Sequence, residues 1–205
     1  MGADSSGRLE WINAIKATCI ALVVLLHVSQ WIYTLNDNSL WYSICLFLQP
    51  FRIPVFFLVS GILAFNSIYN KKSKAFLRAK RIFSVYIVWT TVMTLRLYFT
   101  NDGGDAPEIY HYIVNFLIPG HYWYIWALPF FYLISLLYVY FFRNPFVLLV
   151  ASFFLNIFAG DLGIALRELY DDTAEHVYWE QTFSNYLWFV IGLVLSKQLI
   201  NLEHK

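Results

Sequence analysis

Long apolar runs alternate with short polar stretches along most of the chain. The runs lie near residues 12–34, 41–68, 82–100, 121–142, 145–166 and 183–200. A helix needs about 20 apolar residues to cross the hydrocarbon core of a bilayer, and each run is long enough. We therefore predict an all-α fold, a polytopic transmembrane bundle of about six spans. The stretch 109–120 is too short to span and is expected to form an interfacial or re-entrant piece.

The charged residues between the runs predict how the bundle is oriented. Cytoplasmic loops carry an excess of lysine and arginine. The connection between the second and third runs is crowded with such residues: Lys71, Lys72, Lys74, Arg78, Lys80 and Arg81. With alternating spans, the acidic stretches 101–108 and 167–180 then fall outside. An even number of spans therefore predicts that the N-terminus and the C-terminus are both cytoplasmic.

Composition supports a membrane protein of one domain. The chain is 60% hydrophobic, 20% aromatic and only 13% charged, whereas soluble domains carry roughly 25% charged residues. A net charge of +1, segregated along the chain, gives no reason to expect nucleic acid as a partner. No repeat and no low-complexity linker divides residues 1–205, so we predict a single domain.

Cysteines and histidines give no metal signature. Cys19 and Cys45 lie in apolar runs and are expected to act as small hydrophobes, with no disulfide framework. His111 and His121 lie near the predicted outer surface without a carboxylate at metal-ligand spacing. We therefore expect no metal site.

A lysine and a histidine share one face of the first apolar run. Lys16 and His27 are separated by about three helical turns, roughly 16 Å along the axis. Lys16 is close enough to the cytoplasmic end for its long stem to snorkel to the interface. His27 lies past the middle of the helix. Its imidazole, with an unperturbed pKa of about 6.5, has the chemistry of a general base, and equally that of a helix-packing hydrogen-bond partner.

The second run carries an arginine at a similar predicted depth. In "PFRIP", Pro50 and Pro54 flank Arg52 and are expected to bend the helix. Arg52 either faces a polar cavity shared with His27 or caps backbone carbonyls that the prolines leave without donors. Further along, Ser60 can donate a hydrogen bond, and the adjacent Gly61 permits close helix approach.

Two further groups of residues suit ligands, although membrane topology alone also explains them. Arg78 and Arg81 are three residues apart and share a helix face, which suits phosphate binding. A positive cytoplasmic loop is expected whatever the function. The aromatic residues of "HYWYIWALPFFY", 121–132, fit an interfacial belt, and they also suit stacking on sugar rings.

Three blocks in this order resemble the acyltransferase 3 family of integral membrane acyltransferases, in its fucose 4-O-acetylase-like branch. They are "WINAIKATCIALVVLLH", "FRIPVFFLVSGIL" and "SKAFLRAKRIFSVYIVW". The resemblance covers most of residues 11–89, and "HYWYIWALPFFYL" and "SNYLWFVIGLVLSK" are similar to later family segments. The family's motif of a basic residue and a histidine falls on Lys16 and His27, and its paired arginines fall on Arg78 and Arg81.

The resemblance implies transfer of an acyl group, usually acetyl from cytoplasmic acetyl-CoA, to a hydroxyl of a carbohydrate. Acetyl-CoA would be the donor substrate, and no cofactor would be bound. His27 would take the proton of the acceptor hydroxyl or relay it, while Lys16, Arg78 and Arg81 would hold the anionic donor. Arg52 and Ser60 would shape the cavity and stabilise the oxyanion. The expected location is the inner (plasma) membrane of a bacterium.

The chain departs from the family pattern at two positions and in length. Lys16 stands where arginine is commoner and cannot form a bidentate fork, and Asn13 stands where an aspartate is common. Family members are typically longer and have more spans. A non-catalytic homologue or subunit of a glycan-modifying assembly therefore stays open as an alternative, as does a transporter. Self-association and pairing with another membrane subunit are equally open.

Overall fold

The computed structural model describes residues 14–15, 17–22, 24–25, 40–100, 118–120, 122–142, 144–168 and 177–203. Regular secondary structure in these ranges is entirely helical, which confirms the all-α prediction. The helices are α1 (Leu40–Asn70), α2 (Lys72–Thr100), α3 (Trp123–Phe141), α4 (Pro145–Ile157), α5 (Ala159–Glu168) and α6 (Trp179–Glu203). The described residues of the first apolar run, between 14 and 25, are also helical.

Local sequence explains where several helices begin and end. Helix α1 continues through Pro50 and Pro54 without interruption. A single residue, Lys71, joins α1 to α2, and its carbonyl accepts the Lys74 amide at 2.8 Å. Helix α4 begins where the Asn144 side chain accepts the Phe146 amide at 3.0 Å and so caps the first turn.

Two helices among the described residues are long and apolar enough to cross a membrane. They are Pro50–Asn70 and Trp123–Phe141, and a third span results if α4 and α5 count as one. The predicted first, third and sixth spans each contain residues or side chains outside the described set. Large apolar side chains such as Phe47, Leu137 and Phe146 are more than half exposed, as lipid-facing residues would be. The count of six spans and the cytoplasmic termini stay predictions.

The fifth apolar run forms two helices, although the sequence predicts one. Helices α4 and α5 meet at Phe158 and are bent by 61° relative to each other. The Asn156 side chain donates to the Ser184 carbonyl of α6 at 3.0 Å, which fixes the end of α4. Beyond the bend, a methyl group on Gly163 would come within 3.1 Å of the Glu180 amide nitrogen, so α5 lies close against α6. These contacts depend on α6, which the run itself does not reveal.

The chain divides into two compact units, residues 1–63 with 188–205 and residues 64–187. In the first unit, α1 and α6 cross with their backbones in contact. A methyl group on Gly61 would overlap the Phe189 carbonyl, and one on Gly192 would overlap the Leu58 carbonyl. The close approach predicted at Gly61 is therefore present, and van der Waals packing of this kind drives helix association in lipid.

In the second unit, α2 and α3 pack side by side in opposite directions. Four contacts follow the two helices in order: Lys72 with Tyr140, Arg78 with Tyr132, Phe83 with Phe130, and Trp89 with Tyr122. The first residues of α2 and the last turns of α3 therefore lie at the same end of this unit.

Candidate functional site

The basic residues at the connection of α1 to α2 and in the first turns of α2 form a mostly exposed cluster. We call Lys71, Lys72, Lys74, Arg78, Lys80 and Arg81 the basic junction. All of its side chains except that of Lys72 are exposed. The Lys72 ammonium lies over the Tyr140 ring of α3, 4.9 Å from the ring centroid. The short connection at Lys71 concentrates this positive charge at one end of the second unit.

Arg78 is held by side chains from two other helices. Its Nη1 donates to the hydroxyl of Ser67 on α1 at 3.3 Å, and the Ser67 hydroxyl in turn donates to the Ala64 carbonyl at 2.8 Å. The guanidinium also donates to the hydroxyl of Tyr132 on α3, a side chain only 5% exposed. Three helices therefore meet at this guanidinium.

Arg81 lies one helical turn further along α2 and is exposed. Residues three apart on a helix are surface neighbours, so Arg78 and Arg81 can both reach one bound anion. The two side chains differ in how they are held, because the Arg78 guanidinium donates hydrogen bonds to the hydroxyls of Ser67 and Tyr132. The predicted shared face is present, and the role of the two arginines in binding a donor stays a prediction.

Three further side chains of the second unit, Ser135, Tyr138 and Tyr186, have hydroxyl groups in hydrogen bonds. Ser135 and Tyr186 are both buried, and their hydroxyl oxygens are 3.0 Å apart. The Tyr138 hydroxyl donates to the Asn144 carbonyl at 2.7 Å. The sequence does not single out Ser67 and Tyr132 as partners of Arg78. The available signal was a hydroxyl within an apolar run, which costs free energy in lipid unless it finds a partner.

Arg52 lines a cavity in the first unit. The side chain is only 7% exposed, and the cavity has a volume of about 340 Å³. Its walls are Ala14, Ile15, Thr18, Cys19 and Leu22 of the first run and Leu48, Phe51, Arg52 and Val55 of α1. A cationic side chain thus lies in a largely apolar wall, where an arginine is costly and usually functional.

Ser60 is fully buried, and its hydroxyl donates to the Phe56 carbonyl of its own helix at 2.7 Å. Donation to a reacting oxygen would require the hydroxyl to turn away from that carbonyl. The oxygen can still accept a hydrogen bond in its present position. The predicted oxyanion role of Ser60 stays a prediction.

The remaining predicted site residues, Lys16 and His27, lie outside the described residues, as do His111 and His121. Cys19 is buried in the first unit. Within the described ranges, no group of three His, Cys, Asp or Glu side chains is arranged to hold a metal ion.

The aromatic stretch at the start of α3 packs largely against other rings. Trp126 stacks on Phe130 with centroids 4.0 Å apart and meets the edge of Trp179 at 5.4 Å. Trp123 stacks on Tyr178 at 6.4 Å. Because these rings contact one another, packing accounts for them without a ligand.

Comparison with known proteins identifies the family. Residues 9–203 match the Acyl_transf_3 family, described as an acyltransferase domain. The chain is also similar to "Inner membrane protein YcfT" of Escherichia coli (strain K12), with 40% identity over 63 residues. That match covers 26% of this chain and 18% of the E. coli protein, so the chain covers less than a fifth of that relative. No solved structure matches.

The family match extends over nearly the whole chain and includes Arg52 and the basic junction with Arg78 and Arg81. The apolar helices of the structure agree with a membrane location. The chain therefore belongs to the acyltransferase 3 family of membrane proteins.

Proposed function

We propose that the protein is a membrane-bound O-acyltransferase that transfers acetyl from acetyl-CoA to a hydroxyl group of a carbohydrate. The acceptor class is a cell-surface polysaccharide or a lipid-linked glycan, and the location is a bacterial inner membrane. The observation that carries the proposal is the pair Arg78 and Arg81 on one helix face, in a chain that matches an acyltransferase domain over residues 9–203.

The donor is anionic, and the basic junction is suited to it. Coenzyme A carries phosphate groups, which guanidinium groups bind through paired, charge-assisted hydrogen bonds. In this proposal Arg78 and Arg81 hold the phosphates, and Lys16 adds a point charge on the same, cytoplasmic side. Acetyl-CoA is a substrate here, and the reaction needs no bound cofactor.

Transfer requires a base and a stabiliser of negative charge. The acceptor hydroxyl oxygen bonds to the thioester carbonyl carbon, and the imidazole of His27 takes the hydroxyl proton. Arg52 and Ser60 are proposed to stabilise the tetrahedral oxyanion. The carbon–sulfur bond then breaks, and the sulfur of coenzyme A leaves as a thiol after it takes from His27 the proton of the acceptor hydroxyl.

The histidine gives the sharpest test of this function. Membranes that contain the chain should transfer radiolabelled acetyl from acetyl-CoA to added glycan acceptors. His27→Ala should lower kcat by about 10²–10⁴-fold, the usual contribution of a general base. His111→Ala, matched for amount in the membrane, is the control and should leave turnover unchanged.

Two results would contradict the proposal. Full activity of correctly inserted His27→Ala would remove the histidine from the mechanism. Absence of both turnover and coenzyme A binding in the wild-type protein would favour a non-catalytic member of the family.

A further inference from the structure

Arg78 of α2 contacts side chains from two other helices, α1 and α3. Its guanidinium donates to Ser67 of α1, 3.3 Å away, and to Tyr132 of α3. Both partners are themselves fixed. Ser67 donates to the Ala64 carbonyl at 2.8 Å, and Tyr132 is 5% exposed. The position of the guanidinium is therefore set by buried side chains, although the arginine itself is exposed.

Ser67 and Tyr132 are both neutral partners of the guanidinium. Serine and tyrosine hydroxyls are neutral acceptors, whereas a carboxylate partner would offset the positive charge. A guanidinium offers five donors in a fixed fork, a geometry that matches the oxygen atoms of a phosphate group. A long side chain that is already oriented also loses less conformational entropy when it binds.

We infer that Ser67 and Tyr132 are positioning residues that hold Arg78 ready for the phosphate groups of the donor. This inference rests on the proposed function, because it assumes that Arg78 binds a phosphorylated donor. It adds that the two arginines have different roles in binding the donor. Arg78 is the oriented arginine, and the exposed Arg81 supplies a second, adaptable charge.

Removal of the tyrosine hydroxyl tests the inference with little change in shape. The full chain, purified into lipid nanodiscs, would be titrated with coenzyme A, and KM and kcat would be measured with acetyl-CoA. Tyr132→Phe should weaken coenzyme A binding and raise KM by about three- to tenfold, with kcat nearly unchanged, because a net hydrogen bond is of that size. Ser67→Ala should act in the same direction.

Tyr186→Phe is the matched control. Tyr186 is buried to the same degree as Tyr132, and its hydroxyl pairs with Ser135 in the same unit. Its loss should affect stability as much as the loss of the Tyr132 hydroxyl does, but it should leave coenzyme A binding unchanged.

A double-mutant cycle separates positioning from general stability. In an Arg78→Ala background, Tyr132→Phe should have no further effect on coenzyme A binding, because the side chain that it positions is absent. If the tyrosine had only a structural role, Tyr132→Phe would still weaken coenzyme A binding in that background.

Three outcomes distinguish the hypotheses. If wild-type protein binds coenzyme A and Tyr132→Phe and Ser67→Ala bind it equally well, the positioning role is wrong and the proposed function stands. If the effect of Tyr132→Phe persists without Arg78, the role is also wrong. If wild-type protein neither binds coenzyme A nor turns over, the proposed function fails and the inference fails with it. Should Tyr132→Phe not fold, Ser67→Ala in the same cycle decides.

Discussion

The two arginines of the basic junction share a helix face but differ in their contacts with neighbouring helices. Arg78 is tied to hydroxyls on two neighbouring helices, and Arg81 extends from the next turn into an exposed position. Lysine has one compact charge and no planar fork. Replacement by lysine therefore preserves the charge at both positions. At position 78 it also removes the hydrogen bonds to Ser67 and Tyr132.

Arg78→Lys should accordingly raise KM for acetyl-CoA by about tenfold, and Arg81→Lys by no more than about twofold, since a point charge suffices at an exposed site. Steady-state kinetics in membranes would measure both values. Arg167→Lys, an exposed arginine on α5 outside the basic junction, is the control and should match wild type. Equal losses at positions 78 and 81 would contradict the distinction between them.

At the scale of helices, the first unit depends on the crossing of α1 and α6. Gly61 and Gly192 each lie where a methyl group would overlap a carbonyl of the other helix. Lipid is as apolar as the packed side chains, so close van der Waals contact must provide the helix attraction. The crossing should therefore tolerate added volume poorly.

Gly61→Ala or Gly192→Ala should lower the free energy of unfolding by about 1–3 kcal/mol, the usual cost of overpacking. Thermal unfolding of the purified protein, monitored by tryptophan fluorescence, would detect the change. Gly160→Ala is a matched control in α5, since nothing lies within 4 Å of the added methyl group. Alanine is a better helix former than glycine, so this control should be neutral or slightly stabilising. An equal loss at all three positions would argue against a specific crossing.

The sequence predicts helices well and their partners less well. The runs 41–68 and 121–142 correspond closely to α1 (Leu40–Asn70) and α3 (Trp123–Phe141), because apolar length determines a membrane helix. Gly61 could be singled out as a packing residue, but its counterpart Gly192 could not, since only the folded chain brings them together. The contact of Tyr132 with Arg78 could not be predicted for the same reason. The bend at Phe158 depends on contacts with α6 and was likewise missed.

At the scale of the whole molecule, the antiparallel contact of α2 and α3 bears on the predicted topology. The Lys72 ammonium lies over Tyr140, so the start of α2 and the end of α3 lie at the same end of the second unit. The basic residues at the start of α2 are predicted to be cytoplasmic. The loop around Asn144, which follows α3, should therefore face the same compartment as the basic junction.

Single cysteines introduced into a chain whose two native cysteines are replaced by alanine would test this topology. Lys74→Cys, Asn144→Cys and Lys205→Cys should react with a membrane-impermeant maleimide only after the cells are permeabilised, whereas Asp171→Cys should react in intact cells. Each variant would be compared with itself after denaturation, so that buried and sequestered thiols are distinguished.

Reaction of Asn144→Cys in intact cells would place it opposite Lys74→Cys and contradict the antiparallel pairing of α2 and α3. Reaction of Lys205→Cys in intact cells would instead leave that pairing intact and rule out the even number of spans. The two results separate an error in helix packing from an error in the span count, because the first position follows α3 directly and the second follows the whole chain.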